Sequence, residues 1–582
     1  MSYLNFKSKY DKYPTFKAKS GRAISGYDAV INQLREDINS DNYYLCVDAY
    51  PGCDDTLMLK ALEGLNPDLL INIQDLFKNQ ETISEQLKYI LGEDRVFAKM
   101  YYGEVSDFID TVLLKQTQER VDAVKGLVIV YGFGASLIEG YQQLVYVDMA
   151  RWEIQMRYRK GMGNYGCDNY DEDILRKYKR GYFVEWRIAD KHKSNLLNKL
   201  DYLIDANKAD LIKMINGKEL NKALLALTKT PFRLVPYFDP GVWGGQWMKE
   251  VCNLDPDVPN YAWSFDGVPE ENSLLIDFDG TVLEIPAMDL VLAQPKQLLG
   301  EKVYARFGAE FPIRFDFLDT MQGQNLSLQV HPLTEYIHKQ FGMAYTQDES
   351  YYILDAKKDA HVYLGLKEGI NQTMMLEELR QAQQGVKSFD AEKYINKFPA
   401  AKHDHFLIPS GTIHCSGSNA MVLEISATPY IFTFKLWDWG RVGLDGKPRP
   451  INIEHGSKVI QWDRTTEWVK ENLVNATYRI DEAENPKAKI EHTGLHELEF
   501  IETTRYFFNE ATIHHTLGNV NMLNLIEGEE AIVYSPNEQF EPFNVHYAET
   551  FIIPAGVDDY IIKPIGLSEN HKIGIIKAEV RV

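Results

Sequence analysis

Four side chains in the middle of the chain have the types and the spacing of a metal site. Gln329 and His331 are one residue apart in an apolar run, so in a β-strand both project from the same face. Glu349 lies just before another β-type run, and His414 follows a Pro-Ser-Gly turn. Two imidazoles, one carboxylate and one amide oxygen suit a zinc ion that keeps an open position for water or substrate. We therefore predict one metal ion bound by residues from separate strands.

Each of these residues has a simpler interpretation when it is taken alone. A histidine beside a strand is more often a hydrogen-bonded core or surface residue than a metal ligand. The prediction of a metal site therefore depends on the whole set. The same donor types also accept manganese, cobalt or iron, so the sequence does not fix the metal.

Short strands must position these residues. Residues 229–482 contain many Gly and Pro punctuators and short β-type runs, among them Asn325–Val330, Tyr351–Leu354 and Ala420–Ile425. A helical pattern interrupts these runs and predicts an insert at 366–400. We predict a β domain over 229–482 that carries the metal site.

The C-terminal region, 483–582, again has short strands and turns, and it repeats one segment of the middle region. Phe406–Gly411 (FLIPSG) recurs as Phe551–Gly556 (FIIPAG), a strand followed by a Pro-x-Gly turn. The first copy continues to His414, whereas the second continues as Val557–Asp559 and offers no histidine. We predict a related β domain without a metal.

The N-terminal region, 1–228, alternates apolar runs with helical segments. Tyr43–Asp48, Gly126–Tyr131 and Gln143–Val147 have the composition of buried strands. Strands separated by helices predict a parallel sheet with crossover helices. The fold class predicted for the whole chain is therefore multidomain, a parallel α/β domain followed by β domains.

Composition excludes several classes of protein. The chain has 582 residues, which corresponds to about three or four domains. The formal net charge of −22 argues against nucleic-acid or anionic-membrane binding. Residues 1–21 have no apolar core of a signal peptide, and the five scattered cysteines indicate no disulfide framework. We expect a soluble, cytoplasmic protein.

Six motifs occur in order through the middle of the chain, and together they resemble one enzyme family. They are Gly241–Gly245 (GVWGG), Phe311-Pro312, Asn325–Pro332 (NLSLQVHP), Glu349 with Tyr352–Asp355 (YILD), Ile408–His414 (IPSGTIH) and Ala420–Glu424 (AMVLE). This set resembles type I mannose-6-phosphate isomerase, a zinc-dependent cupin enzyme. The motifs cover about 235–460, and the layout up to residue 582 is similar to the short bacterial form.

The resemblance implies a fold, a cofactor and a reaction. It implies two cupin domains of the β-barrel or jelly-roll type, and one zinc ion per chain bound by Gln329, His331, Glu349 and His414. It also implies interconversion of mannose 6-phosphate and fructose 6-phosphate through a cis-enediol or enediolate. Such a reaction moves a proton between C1 and C2, with the metal polarising the carbonyl. We expect Glu424, on the strand behind the His414 turn, to be a catalytic residue; a carboxylate on the surface of an edge strand is the alternative.

Two positions depart from the family pattern. The lysine usual after the Phe-Pro strand start falls on Asp316, and Arg314 lies on the same strand face. The catalytic arginine of the family falls on Lys435, which keeps the charge but loses the planar two-pronged donor. Arg441 matches an arginine of a nearby motif and could supply a guanidinium, or it is an exposed loop residue. Arg314, Asp316 and Lys435 are therefore candidate substrate-binding residues, and Lys435 and Arg441 candidate catalytic ones. An altered-specificity or non-catalytic zinc cupin that senses or isomerises another sugar phosphate is the alternative.

The loop Tyr50–Thr56 lies between a predicted strand and a predicted helix, where a phosphate-binding loop would lie. It has no lysine, and Asp54 and Asp55 would repel a phosphate. The layout of this region is similar to that of nucleoside-kinase-like P-loop proteins. The resemblance rests on Gly126–Phe133, Tyr146–Asp148 and the arginines Arg151, Arg157 and Arg159. We expect an inactive kinase-like domain that could still bind a nucleotide; an α/β domain unrelated to nucleotides is the alternative.

Overall fold

The structure is a computed structural model that describes the whole chain except residues 1, 54, 428–431, 444–445, 447–448, 495, 497–498 and 582. The chain forms two compact units. One unit contains Thr15–Ala226 and Ser273–Gln294. The other contains Met1–Pro14, Leu227–Asn272 and Pro295–Val582. The change of unit at Leu227 lies close to the predicted boundary between 228 and 229. The segment Ser273–Gln294, predicted to lie in the middle domain, instead belongs to the N-terminal unit.

A seven-stranded sheet forms the centre of the N-terminal unit. Its strands, from one edge to the other, are Ile24–Ser25, Lys213–Asn216, Tyr202–Asp205, Gln143–Asp148, Tyr43–Ala49, Leu127–Gly132 and Leu69–Asn72. The last five are mutually parallel, and numbered along the chain they run in the order 5-4-1-3-2. All seven residues of Tyr43–Ala49 are buried, as expected for a central strand covered on both faces. This is the parallel arrangement predicted for this part of the chain.

Helices connect the parallel strands, and several begin at a capping side chain. Asn79 accepts a hydrogen bond from the backbone of Thr82 at the start of one, and Asp110 accepts from Val112 and Leu113 at the start of another. The helices of this unit are Tyr27–Asp37, Asp55–Glu63, Gln80–Leu91, Thr111–Ala123, Arg151–Arg159, Ile174–Arg180, Trp186–Ser194, Gly217–Leu227 and Met288–Ala293.

The segment Ser273–Gln294 joins the N-terminal unit through a small sheet. Ser273–Phe278 and Thr281–Pro286 form an antiparallel hairpin, and Thr15–Lys17 adds a parallel strand. The hairpin is hydrogen-bonded to this unit, since Lys213 Nζ donates to the Val282 carbonyl and Asn207 Nδ2 donates to the Glu284 carbonyl at 2.8 Å. Edge hydrogen bonding of this kind depends on a partner far away in the chain, which a local pattern does not reveal.

Two antiparallel sheets form the middle region. The six-stranded sheet contains, in spatial order, His405–Ile408, Glu349–Ala356, Ala420–Ser426, Arg314–Asp319, Trp263–Gly267 and Tyr237–Asp239. The five-stranded sheet contains Ile395–Pro399, His361–Leu366, His414–Ser416, Leu328–Val330 and Phe434–Trp437. The predicted insert at 366–400 contains two helices, and its last part is a strand of the five-stranded sheet.

Short helices accompany these sheets. They are Trp247–Val251, Pro295–Leu299, Glu301–Phe307, Thr334–Phe341, Gln372–Gln383, Ala391–Tyr394, Ile453–Gly456 and Thr466–Asn472. Within the described residues of the chain, no helix is both long enough and apolar enough to cross a bilayer.

The C-terminal region also consists of two antiparallel sheets. The larger contains Tyr478–Ile480, Lys489–His492, Ile501–Phe508, Ile573–Val580, Asn521–Glu527 and Thr550–Ile553. The smaller contains Thr512–His515, Asp559–Pro564, Glu530–Tyr534 and Phe543–His546. Leu, Ile, Val and aromatic side chains from both sheets form one buried cluster, so the interior of this region is an apolar core.

Candidate metal centre

His331, Glu349 and His414 meet in the interior of the middle region. Glu349 comes from the six-stranded sheet, and the two histidines follow or begin strands of the five-stranded sheet. Glu349 Oε2 lies 3.0 Å from His331 Nε2, and its Oε1 lies 2.9 Å from His414 Nε2. All three side chains are fully buried. Among the described residues, this is the one His, Cys, Asp and Glu group whose ligand atoms are close enough to bind a common metal ion.

Backbone carbonyls orient both imidazoles. His331 Nδ1 donates to the Phe432 carbonyl at 2.8 Å, and His414 Nδ1 donates to the Thr412 carbonyl at 2.9 Å. In a neutral imidazole the Nε2 atom then has a lone pair and no proton. These two lone pairs face the carboxylate of Glu349, so hydrogen-bond acceptors repel one another at this point. A cation between them, or protonation of a histidine, relieves that repulsion, and the residues present fit a metal ion.

The charges in this cluster depend strongly on one another. Burial acts against ionisation of Glu349, but His331 and then His414 outweigh burial and lower the pKa of that carboxyl. Burial likewise acts to lower the pKa of His331, and the charge of Glu349 reverses this and raises it. An ionised carboxylate beside two imidazoles is the protonation state that a divalent metal requires.

Gln329, the fourth predicted ligand, lies beside the cluster. In the five-stranded sheet it is directly opposite His414 on one side and Lys435 on the other. Its amide Nε2 lies 3.2 Å from His414 Nε2, so this side chain reaches the same imidazole nitrogen that faces Glu349. A half-turn of this amide about its last bond would exchange its nitrogen and oxygen and bring the oxygen to the same position.

Gln347 is a residue of the site that sequence reasoning missed. Its Nε2 donates to Glu349 Oε2 at 2.7 Å and lies 3.4 Å from Glu424 Oε1, while its Oε1 accepts from the Phe432 backbone at 2.9 Å. It therefore connects the metal cluster to the neighbouring carboxylate. Its position two residues before Glu349 could have suggested that both side chains lie on the same face. A single glutamine, however, is not a residue type that by itself indicates a catalytic or metal site.

Glu424 faces Asp316 across two adjacent strands of the six-stranded sheet. Both are buried, so Glu424 is not the surface carboxylate of the alternative interpretation. Burial raises the pKa of Asp316 to about 6, although Arg314 acts in the opposite direction with its guanidinium 3.4 Å from the carboxylate. Burial and then Glu349 raise the pKa of Glu424 well above its ordinary value. The site thus contains a carboxyl pair that takes up protons readily.

A basic cluster lies on the other side of Gln329. Burial, and then the nearby Arg449, lower the pKa of Lys435 to about 7. Arg441 donates to the Asn325 carbonyl at 2.8 Å and forms an ion pair with Asp438. It is half-buried and tethered, not an exposed loop residue.

Arg449, which sequence reasoning also missed, completes this cluster. It lies 2.9 Å from Asp438 and 3.4 Å from the Ser327 hydroxyl. In the sequence it stands between two prolines, a context that gives no hint of a site.

In the N-terminal unit, the arginines near the loop that follows Tyr43–Ala49 already have partners within the unit. Arg157 donates to the Gly52 carbonyl at 3.0 Å and to the Ala206 carbonyl at 3.2 Å. Arg151 pairs with Asp190 at 2.9 Å, while Asp55 accepts from Tyr131 at 2.7 Å. Arg159 is exposed on the same helix as Arg151 and Arg157, and Asp54 lies outside the described residues.

Comparison with protein families and with curated proteins gives matches of two kinds. A family model described as a domain of unknown function (DUF8485) matches residues 26–229. The probable mannose-6-phosphate isomerase GmuF of Bacillus subtilis is 31% identical over 234 residues, which are 40% of this chain and 68% of that protein. Mannose-6-phosphate isomerase ManA of the same organism is 26% identical over 238 residues, 40% of this chain and 69% of that protein.

A search of solved structures found the mannose 6-phosphate isomerase from Bacillus subtilis, at 17% sequence identity and a TM-score of 0.48. That match covers 60% of this chain and 100% of the solved one.

Proposed function

Because the chain belongs to the mannose-6-phosphate isomerase family, we propose that it interconverts mannose 6-phosphate and fructose 6-phosphate with one bound zinc ion. Gln329, His331, Glu349 and His414 are the proposed ligands. The observation that carries this proposal is the pair of Nε2 lone pairs aimed at the Glu349 carboxylate. We also propose that both β regions are cupin domains, since each is a pair of antiparallel sheets.

The zinc ion would supply Lewis-acid polarisation of the sugar carbonyl. The proton is moved by the protein. Aldose–ketose interconversion removes a proton from C2 of the aldose and returns it to C1 through a cis-enediolate. Glu424 is the proposed carrier, because it is buried beside Glu349 and a carboxyl whose pKa is raised is a stronger base than an ordinary one. Asp316, directly opposite Glu424, tunes this group by its charge, and Arg314 limits the repulsion between them.

The basic cluster is the proposed contact for the phosphoryl end of the substrate. Ser327 and Gln329 are two residues apart, which in an extended chain corresponds to roughly 6.5–7 Å. That separation suits a hexose whose reacting carbons lie at the metal and whose phosphate lies beside Ser327. Arg441 and Arg449 share the carboxylate of Asp438, and Lys435 lies near both arginines, so the cluster keeps a net positive charge for the phosphate. Lys435, beside Gln329, is also placed to donate a proton to a sugar oxygen, which keeps it a catalytic candidate.

One observation favours a second candidate function, an isomerase or sensor for another sugar phosphate. The sequence places Asp316 where the family resemblance calls for a lysine, and the structure brings this carboxylate directly opposite Glu424. A second carboxylate in place of a cation changes which hydroxyl groups of a sugar can be bound.

The test is turnover of mannose 6-phosphate by the purified chain, measured as formation of fructose 6-phosphate. Three samples are compared: protein as purified, protein after treatment with a chelator, and treated protein with zinc restored. We expect turnover that the chelator abolishes and zinc restores. Absence of turnover in zinc-loaded protein would overturn the proposed substrate. Turnover of another aldose phosphate in that same sample would establish the second candidate.

For the N-terminal unit, we propose a kinase-like domain without catalytic activity. The order of its parallel strands and the loop between its first strand and the helix Asp55–Glu63 support this proposal. Arg151 and Arg157, which could contact a phosphate, are paired with Asp190 and Glu153 at 2.9 Å. We expect ATP, with or without Mg²⁺, to give no heat of binding and no shift of the melting temperature. Saturable binding with a Kd below a millimolar would contradict an inert unit and favour a nucleotide-sensing one.

A further inference from the structure

One short turn connects three of the four proposed ligands. In the turn Pro409–Thr412, the Gly411 backbone donates to the His331 carbonyl at 2.9 Å. The Ser410 backbone donates at 2.7 Å to the carboxylate of Asp348, the residue next to Glu349. The Thr412 carbonyl accepts the hydrogen bond that orients His414. A shift of this turn would therefore displace His331, Glu349 and His414 together.

The turn cannot accept a side chain at Gly411. Gly411 has a φ of +85°, which disfavours any side chain. A Cβ at this position would lie 2.7 Å from Gln461 Cγ and 2.8 Å from the Val459 carbonyl oxygen. The Gln461 backbone also donates to the Gly411 carbonyl at 2.9 Å. The segment that follows the helix Ile453–Gly456 thus packs directly on the turn.

Arg464, three residues after Gln461, holds the turn from the same segment. Its Nη1 lies 2.8 Å from the Pro409 carbonyl oxygen and 2.7 Å from the Ser410 carbonyl oxygen, and it also donates to the Thr412 hydroxyl. A charged guanidinium forms stronger hydrogen bonds to such oxygens than a neutral donor does. Its own position is fixed because its carbonyl accepts from the Leu366 backbone at 2.9 Å.

We propose that Arg464 is a positioning residue of the metal centre. It acts through the turn and not by contact with the metal or the sugar. By fixing the Thr412 carbonyl it fixes the direction of the His414 Nε2 lone pair, and by fixing Ser410 it fixes Asp348 and thus Glu349. This inference rests on the proposed function, because it takes the three residues to be metal ligands. Groups hydrogen-bonded directly to metal ligands affect metal affinity by roughly 10–100-fold in other proteins, and Arg464 holds such a group, the Thr412 carbonyl, in place.

The experiment compares metal affinity in the full chain and in Arg464→Gln. Zinc affinity is measured by competition with a chromophoric chelator, and ligand geometry by the visible absorption spectrum of the cobalt-loaded protein. We expect Arg464→Gln to weaken zinc binding by about 10–100-fold and to change the cobalt spectrum. Arg464→Lys keeps the positive charge but not the planar guanidinium, so we expect a smaller loss of zinc affinity. Neither readout depends on turnover, so a failed isomerase assay leaves this test intact.

Arg505→Gln is the matched control. Arg505 is also a largely buried arginine that donates to a backbone carbonyl, that of His403 at 2.6 Å, and it pairs with Glu491 at 2.8 Å in the C-terminal region. We expect its loss to lower stability without changing zinc affinity. Equal zinc affinity in Arg464→Gln and the unmodified chain, or an equal loss in Arg505→Gln, would overturn the proposal.

Thr412→Val covers the case in which Arg464→Gln does not fold. It removes one oxygen that Arg464 binds and keeps the shape of the side chain. We expect a zinc affinity between those of the unmodified chain and Arg464→Lys. Unchanged affinity and an unchanged cobalt spectrum in a folded Thr412→Val protein would count against the role of Arg464.

Discussion

The two β regions of the chain repeat one strand–turn segment but differ in what fills their interiors. In the middle region, the turn after Phe406–Gly411 leads to His414, which faces Glu349 and His331. In the C-terminal region, the turn after Phe551–Gly556 leads to Val557, which is buried in an apolar cluster. The backbone segment is therefore compatible with either outcome, and the side chains of the neighbouring strands determine which one occurs.

A histidine in the C-terminal region sharpens this contrast. His514 is buried, as His414 is, but its Nε2 lies 2.9 Å from the Thr512 hydroxyl and its ring stacks on Tyr560. Burial lowers the pKa of His514 well below its ordinary value, so it is a neutral core residue. A buried imidazole becomes a candidate ligand only where a carboxylate and a second imidazole face it.

Removing a ligand should give the largest effect. We expect His331→Ala to lose bound zinc and to reduce turnover at least about 1000-fold, because a site of two remaining strong ligands binds zinc poorly. Metal content by mass spectrometry and initial rates check this. In His514→Ala, the matched histidine of the other region, we expect unchanged metal content. Loss of zinc from His514→Ala would contradict the assignment of the metal site to the middle region.

Removing the proposed proton carrier should separate chemistry from metal binding. We expect Glu424→Gln to reduce kcat by roughly 100–10,000-fold, the usual contribution of a general acid–base group. Zinc content should be unchanged, because Glu424 is not one of the proposed ligands and glutamine keeps a hydrogen-bonding group beside Glu349. A Glu424→Gln protein that retains kcat would assign proton transfer to another group.

The basic cluster should act on substrate binding. We expect Arg449→Gln to raise KM for the sugar phosphate by about 10–100-fold, since a hydrogen bond to a charged group contributes roughly 1.5–3 kcal/mol. The readout is KM against kcat, and the competitive inhibition constant of inorganic phosphate should rise in parallel. Equal KM in the variant and the unmodified chain would place the phosphate elsewhere.

The carboxyl pair should give the metal-free protein a pH dependence of stability. Asp316 has a pKa of about 6 in the folded chain and an ordinary value of 3.8, so the folded state binds the proton more tightly. Its contribution to the free energy of unfolding is therefore highest below pH 4 and decreases as pH rises to about 6. We expect Asp316→Asn to flatten urea unfolding midpoints between pH 4 and pH 7. A profile as steep as that of the unmodified chain would contradict this assignment.

The smallest effect is expected from adding a histidine to the second copy. Asp559 occupies the position of His414 in the repeated segment, and its carboxylate accepts from His515 Nδ1 at 2.7 Å. We expect Asp559→His to bind no second zinc ion, because this position is half-exposed beside His515 and Glu484, whereas the ligands proposed in the middle region are buried. The change in melting temperature should also be small, since Asp559 is half-exposed and such pairs contribute about 0–1 kcal/mol. Two zinc ions per chain would show that the turn alone makes the site.

The sequence by itself determined much of the metal cluster. The spacing of Gln329 and His331 places both on one strand face whatever the strand packs against, and the Pro-Ser-Gly turn sets His414 at a strand start. The parallel strands of the N-terminal unit were also predictable, because their apolar runs are continuous and lie between helical segments.

Only the tertiary structure decided which residues support that cluster. Gln347 contacts Glu349, Arg464 holds the turn beside His414, and Arg449 completes the neighbouring basic cluster, and each of the three forms hydrogen bonds to a segment that is distant in the chain. The hairpin Ser273–Pro286 likewise joins the N-terminal unit through hydrogen bonds at a sheet edge. The physical reason is the same in each case. Local periodicity fixes the direction of a side chain, whereas the partner that gives it a role is set by how separate segments pack.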